Sequence, residues 1–247
     1  MEGRDLTDHG DFHPGLWMSF ADVNGSDYWR LKAPVKLEEF IEKPSGNSGH
    51  SRFAVRLAYY EQNRPEAILC RELFRCDIHV LPAGYLMLWD STFSSDTELQ
   101  FGDIEEMGLG VRMATPLRAA CQSTGDISAG QGEIVNSHGD RNEAGVWGAA
   151  ADWCDYRGEI DGQPCGIAIL CHPQNFGPSW FHARDYGLLV ANPFGRAAFK
   201  QGEKSQVTIK PGDELRLRYG ILIHGGASET AVDLPEAYDA YLKLTER

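Results

Sequence analysis

The sequence predicts an all-β protein of antiparallel strands with one short helix at its C-terminal end. Three observations predict it. Short stretches that alternate apolar and polar residues follow one another along the chain, each bounded by Pro, Gly, Asn or Asp. Helical periodicity is convincing only in residues 235–246. The length, 247 residues, suits one large sandwich or barrel domain spanning 1–247, with enough chain to bury a core without metal or disulfide staples.

Taken in order, residues 9–30 are irregular, with Pro14-Gly15 and Asn24-Gly25 as turns. Residues 33–50 are polar, contain PSGNSG and read as a surface loop. Phe53, Val55, Leu57 and Tyr59 then alternate with Ala54, Arg56 and Ala58, which gives a strand with one wet face. A second strand lies within residues 67–81; after the turn Pro82-Ala83-Gly84 comes a third, YLMLWDSTF. GVRMA is strand-like as well, whereas residues 119–146 read as a long glycine-rich connection. Asp161-Gly162 is a hairpin dipeptide joining two strands, the second of which, CGIAILC, is apolar throughout and ends at His172. GLLVA, SQVTI and ELRLRYGILIH are the last strands. Pro235 then starts the helix, placing Tyr238, Tyr241 and Leu242 on one face.

Composition removes several functions. A net charge of −13 lacks the basic patch of a nucleic-acid binder and disfavours anionic lipid. No apolar run approaches the roughly 20 residues of a membrane span. The opening residues have no apolar leader-type segment, so a cytoplasmic location without membrane contact is expected. Six cysteines, at 70, 76, 121, 154, 165 and 171, include no CxxC pair, and reduced, mostly buried thiols are expected. A P-loop, a GxSxG elbow, an HExxH helix and a Rossmann glycine fingerprint are all missing, so phosphoryl transfer, serine hydrolysis and dinucleotide redox have no footing.

Chemistry concentrates in three stretches. Residues 172–196, HPQNFGPSWFHARDYGLLVANPFGR, interleave titratable, aromatic and breaker residues as a ligand cleft does. They supply His172, Asn175, Trp180, His182, Arg184, Asp185, Tyr186 and Asn192. Residues 9–30 add His13, Trp17 and Trp29. In residues 98–118, Asp103, Glu105 and Glu106 precede the strand that carries Arg112. Grouped carboxylates repel, so each must be solvated, paired with arginine or raised in pKa, and Glu106 lies nearest the strand entry. His138, alone in a loop, reads as an exposed histidine, and His224, closing a strand, as a structural one.

Four motifs together, HPGLWMSFADVNGSDYWR, FGDIEEMGLGVR, VWGAAADWCDYRG and WFHARDYGLLVANPFGR, resemble a bacterial family labelled PmoA-like, or "methane oxygenase" by name transfer. The resemblance covers nearly the whole chain. A membrane-bound copper monooxygenase subunit is ruled out by the lack of a spanning segment. What the resemblance implies is a large antiparallel β-sandwich in the style of the galactose-mutarotase-like supersandwich, and a role connected with sugars. The chain departs from that family's pattern at Phe12-His13, where paired histidines are usual, and at Cys171, where an aspartate is usual. Both departures weaken a metal site across those positions.

Three functions follow from these residues. The first is a carbohydrate-processing enzyme of mutarotase, lyase or hydrolase type. There Trp17, Trp29 and Trp180 wall a small-molecule sugar, His182 and Glu106 exchange protons, and Arg112 and Arg184 hold oxygens, with His13 also among the catalytic candidates. His182 is expected to titrate near neutral pH. His172, Asn175, Asp185, Tyr186 and Asn192 complete the substrate contacts. The second is a non-catalytic carbohydrate-binding protein using the same aromatics. The third is a metal-dependent enzyme in which some of His13, His172, His182 and Glu106 hold a divalent zinc, manganese or iron ion. All three need these stretches to converge. The sequence leaves the oligomeric state open.

Overall fold

A computed structural model describes residues 13–82, 84–119, 130–225 and 232–246. In chain order its strands are β1 (Leu16–Phe20), β2 (Val35–Gly46), β3 (His50–Tyr60), β4 (Ile68–Leu81), β5 (Gly84–Ser94), β6 (Leu99–Phe101) and β7 (Met107–Arg112). There follow β8 (Glu133–Asn136), β9 (Trp153–Ile160), β10 (Gln163–Cys171), β11 (Trp180–Arg184), β12 (Leu188–Asn192), β13 (Val207–Ile209) and β14 (Glu214–Gly225). Among the described residues the α-helices are α1 (Asn142–Val146) and α2 (Leu234–Thr245), with one 3-10 turn at Thr115–Leu117. Every strand pairing is antiparallel. An eight-stranded sheet runs β2-β3-β4-β5-β14-β10-β9-β8, a four-stranded sheet runs β1-β7-β12-β11, and β13 pairs with β6.

The two larger sheets face each other across one apolar cluster, a sandwich. Phe20, Leu109, Val111, Phe181, Leu189 and Ala191 of the small sheet meet Phe93, Leu217, Tyr219, Ile169 and Tyr156 of the large one. β12 is buried along its whole length, which is why its sequence is nearly all apolar and does not alternate. On the far side of the large sheet, Leu234 and Tyr241 of α2 cover Leu86, Ala168, Leu170 and Leu222. Asp233 caps that helix, its carboxylate accepting from the Glu236 backbone N–H at 2.9 Å, with Pro235 in the first turn.

Three expectations need correction. Residues 9–30, read as irregular, hold the strand β1. Residues 33–50 are mostly strand, not loop: β2 is a 12-residue edge strand. Its register against β3 shifts at Leu37/Glu39, Phe40/Glu42 and Glu42/Ser45, so the two-residue alternation that marks a strand is broken. Charges and Pro44 on this exposed edge also discourage pairing with another chain. The connection 119–146 holds β8 and α1, both too short for periodicity to reveal, while residues 120–129 lie outside the described residues. Cys70, Cys76, Cys154, Cys165 and Cys171 are free, and Cys121 is outside the described residues. Among the described residues no helix is long and apolar enough to cross a membrane.

Candidate functional site

Strand alternation decides which side chains share a face. In the small sheet Trp180, His182 and Arg184 of β11 pair with Asn192, Val190 and Leu188 of β12, which align with Gly110 and Arg112 of β7 and then Trp17 of β1. By alternation these residues share one face of the sheet, on which Leu188 and Val190 are themselves buried. The intervening residues, Phe181, Ala183, Leu189 and Val111, point into the core. Polar residues at alternate positions of apolar strands therefore gather on one surface, which the 102–106 loop, α1 and residues 27–33 surround.

A cavity of ≈ 160 Å³ opens there, lined by Trp29, Arg30, Glu105, Glu106, Arg112, His182, Arg184, Tyr186 and Leu188. Its charges are arranged in order. The three Arg184 nitrogens each have a separate partner: Nε donates to His182 Nε2 at 3.2 Å, one terminal nitrogen donates to Glu143 Oε1 at 2.8 Å, and the other to Glu105 Oε2 at 3.0 Å. Arg30 pairs with Glu106 at 2.8 Å and with Asp27 at 3.3 Å. The Arg112 guanidinium lies over the Tyr186 ring, 5.5 Å from its centre. Burial raises the Tyr186 phenol, while Arg112 beside it pulls the other way.

His182 is 5% exposed. Its Nδ1 lies 3.2 Å from the Glu105 carbonyl oxygen, which can only accept, so Nδ1 carries the hydrogen and Nε2 offers its lone pair to Arg184. Burial, and then the Arg184 charge, push its pKa down to about 3. The expectation that His182 titrates near neutral pH is thus overturned: desolvation and a cation both oppose protonation. It is a neutral ring that fixes Arg184 on one side and the Glu105 backbone on the other.

The three grouped carboxylates have three fates. Asp103 accepts from the backbone N–H groups of Ala197 (3.0 Å), Ala198 (2.9 Å) and Ser205 (2.6 Å). Burial opposes its ionisation, but these donors prevail and its pKa is lowered. Glu105 faces Arg184, and Glu106 faces Arg30. The buried Asn192 side chain holds the loop in place: it donates to the Ile104 and Glu105 carbonyls at 2.8 and 3.0 Å and accepts from the Phe194 and Gly195 N–H groups at 2.8 and 3.0 Å. Asp185 does not pair with Arg184. Its Oδ1 accepts from the Glu143 N–H at 2.8 Å, docking the β11–β12 turn onto α1, and burial raises its pKa.

Other candidates sit elsewhere or are occupied. His13 lies against both Trp17 and Trp29, with ring centres 4.6 and 4.4 Å apart, and is 2% exposed. Trp17 also lies on Gly110, where a Cβ would come within 2.6 Å of the indole. The expected sugar platform at Trp17 is therefore packing, and Trp29, although it lines the cleft, is only 3% exposed. Trp180 is 9% exposed and bridged to Ala150, outside the cavity lining.

His172 and Asn175 line a different cavity, of ≈ 420 Å³, with His138, Asp152 and Ser179. His172 Nδ1 accepts from the Gln174 N–H at 3.1 Å and Nε2 meets Thr245 Oγ1 at 3.1 Å. Burial, and then Arg218, push its pKa down to about 4. Asn175 exchanges two bonds with the Arg218 backbone. His224 bonds Asp155 at 2.8 Å. Among the described residues, His13, His172, His182 and Glu106 do not form a group at metal-ligand spacing. Arg30 and Glu105 are cleft-lining charges that the sequence left unassigned, as it did Glu143, which lies outside that lining and reaches the site through Arg184. Glu105 stood beside a chosen residue, while Glu143, in a stretch read as loop, carried no signal.

Residues 1–238 match the family described as a family of unknown function (DUF6807), and the chain belongs to it. This corrects the PmoA-like resemblance, to which nothing found points. A comparison with curated proteins gave no match. Among solved structures the chain is similar to a galactose mutarotase related enzyme from Lactobacillus acidophilus, with a TM-score of 0.36 and 10% identity, over 83% of this chain and 76% of that one.

Proposed function

We propose that this member of a family without an assigned activity is a carbohydrate-processing enzyme whose cleft takes one sugar ring. The observation that carries the reading is the ≈ 160 Å³ cavity in which Glu105, Glu106, Arg30, Arg112 and Arg184 converge beside Trp29 and Tyr186. That volume is below the about 300–1,000 Å³ of pockets for drug-sized ligands, so a single ring or a chain end is the fitting size. Carboxylates and guanidinium groups together match the hydroxyl donors and acceptors of a sugar. Glu106, hydrogen-bonded to only one arginine nitrogen, is the group to exchange a proton with substrate. Arg112 and Arg184 hold oxygen atoms as charge develops. His182 positions Arg184 and stays neutral. Mutarotation, elimination and hydrolysis all remain open to this set.

The test is a panel of neutral and acidic mono- and oligosaccharides, read by thermal shift for binding and by NMR of the sugar for turnover. A bound sugar should be converted by the native chain. Glu106→Gln should lower turnover about 10²–10⁴-fold while retaining binding. If Glu106→Gln turns over normally, the acid–base role is wrong. One observation favours a second reading, a non-catalytic carbohydrate-binding protein: both His182 ring nitrogens are engaged and its proton affinity is low. Binding with no conversion of any panel sugar would decide for that reading. No binding at all would remove both.

A further inference from the structure

We propose that His50, Asp77 and His79 form a binding site for a divalent cation of the zinc class, on the large sheet rather than at the cleft. One ligand atom from each residue, two imidazole nitrogens and a carboxylate oxygen, lies within 4.8 Å of the others. The register of β3 against β4 creates the group. His50 is directly opposite His79, and Asp77, two residues earlier on β4, projects from the same face. The two rings stack with centres 4.6 Å apart and planes 28° apart, which brings their nitrogen edges side by side. His50 Nε2 already lies 2.9 Å from Asp77 Oδ1.

In a tetrahedral site with ligand bonds of about 2.0–2.1 Å, neighbouring ligand atoms are about 3.3 Å apart. Small side-chain rotations reach that spacing from the distances present. The backbone beneath is fixed: Asn47 Oδ1 accepts from the Gly49 and His50 N–H groups at 2.8 and 3.1 Å, and the Val80 N–H donates to Gly49 at 3.0 Å. His50 and Asp77 side chains are 36% and 37% exposed, so a hydrated ion can reach them and keep water as its fourth ligand. Two imidazoles with one carboxylate suit zinc and the later first-row ions, whereas calcium and magnesium prefer all-oxygen sites. Arg52, opposite Asp77, is the facing cation, and its charge is met by Glu42 at 2.6 Å. On binding, the His50–Asp77 hydrogen bond gives way to bonds from both groups to the metal, and the ring hydrogen of His50 moves to the ring nitrogen that does not ligate.

The experiment is equilibrium dialysis of the untagged, chelator-stripped full chain against zinc chloride at neutral pH, with elemental analysis. About one zinc per chain is expected. His50→Ala and His79→Ala should each weaken binding by more than about tenfold, while His138→Ala and His172→Ala leave it unchanged. Asp77→Asn keeps the shape of the site and should also weaken binding, so the ligand set is tested even if an alanine variant misfolds by circular dichroism. Zinc that fails to bind at micromolar concentration, or that binds the folded His79→Ala and Asp77→Asn chains as tightly as the native one, would overturn the proposal.

Discussion

Two cavities in this molecule each hold a buried histidine whose proton affinity is pushed down, yet the two rings serve different neighbours. In the ≈ 160 Å³ cleft, His182 stands among Arg30, Arg112, Arg184, Glu105 and Glu106. In the ≈ 420 Å³ cavity, His172 bonds the Gln174 backbone and the Thr245 hydroxyl, and so ties the segment after β10 to the end of α2. Burial is the first cause of the shift in both. A lowered histidine pKa therefore does not distinguish chemistry from architecture. The distinction lies in what the ring bonds: in the first case an arginine of the cleft's ionic cluster, which a ligand can engage, and in the second the Gln174 backbone and the Thr245 hydroxyl, with Arg218 acting only through its charge. Volume misleads here too, since the larger hole has the fewer charges.

The largest effects should come from the asparagines that anchor each cavity. Asn192→Ala removes four hydrogen bonds from a side chain with no solvent exposure and leaves the Ile104 and Glu105 carbonyls without that donor. A loss of about 3–4 kcal/mol in urea unfolding is expected, together with loss of sugar binding, because the loop bearing Glu105 and Glu106 is released. Asn175→Ala breaks two bonds to the Arg218 backbone and should cost about 2 kcal/mol while leaving the cleft competent. Equal loss of sugar binding in both variants would erase the contrast between the cavities. Arg184→Lys comes next. A lysine ammonium cannot reproduce three partners placed around a planar guanidinium, so about 1–2 kcal/mol of stability should go, and affinity for sugar should fall with it. A lysine variant that binds as well as the native chain would show that charge alone suffices there.

How much of this was legible from the sequence depends on how each element is buried. β5 and β14 pair regularly, β3 holds its register against β4 from His50 to Tyr59, and the alternation or apolar content of all three is plain in the sequence. β2 was hidden because its bulges break the alternation and most of its residues are exposed. At the site, Arg112, His182 and Arg184 announced themselves as polar residues within apolar strands, and strand periodicity puts them on one face. Two things could not be read. The fate of each carboxylate depends on partners far along the chain; Asp103 is held by residues 94 to 102 positions away. Nor does closeness in sequence mean closeness in space: residues 172–196 begin at the end of β10 in the large sheet and cross to β11 in the small one. His172 and His182, ten positions apart, therefore belong to different cavities.

The smallest predicted effect concerns pH. An unfolded histidine titrates near 6.5, while folded His172 and His182 sit at about 4 and about 3. Both folded values lie below the unfolded one, so the unfolded chain binds the extra proton as acid is added. The associated stability is complete above about pH 6.5 and is lost as pH falls toward the folded values, with a limiting slope of about 1.4 kcal/mol per pH unit for each ring. Between pH 6.5 and 5.5, before most carboxylates titrate, each histidine should account for about 1 kcal/mol. His172→Gln and His182→Gln should each remove that share of the slope, whatever they do to stability at pH 8. The rings should part company only near pH 3–4, where His172 has taken its proton and His182 has not. If His182→Gln leaves the slope between pH 6.5 and 5.5 unchanged, the ring is not held neutral in the folded chain, and its assignment as the fixed partner of Arg184 gives way to an acid–base role.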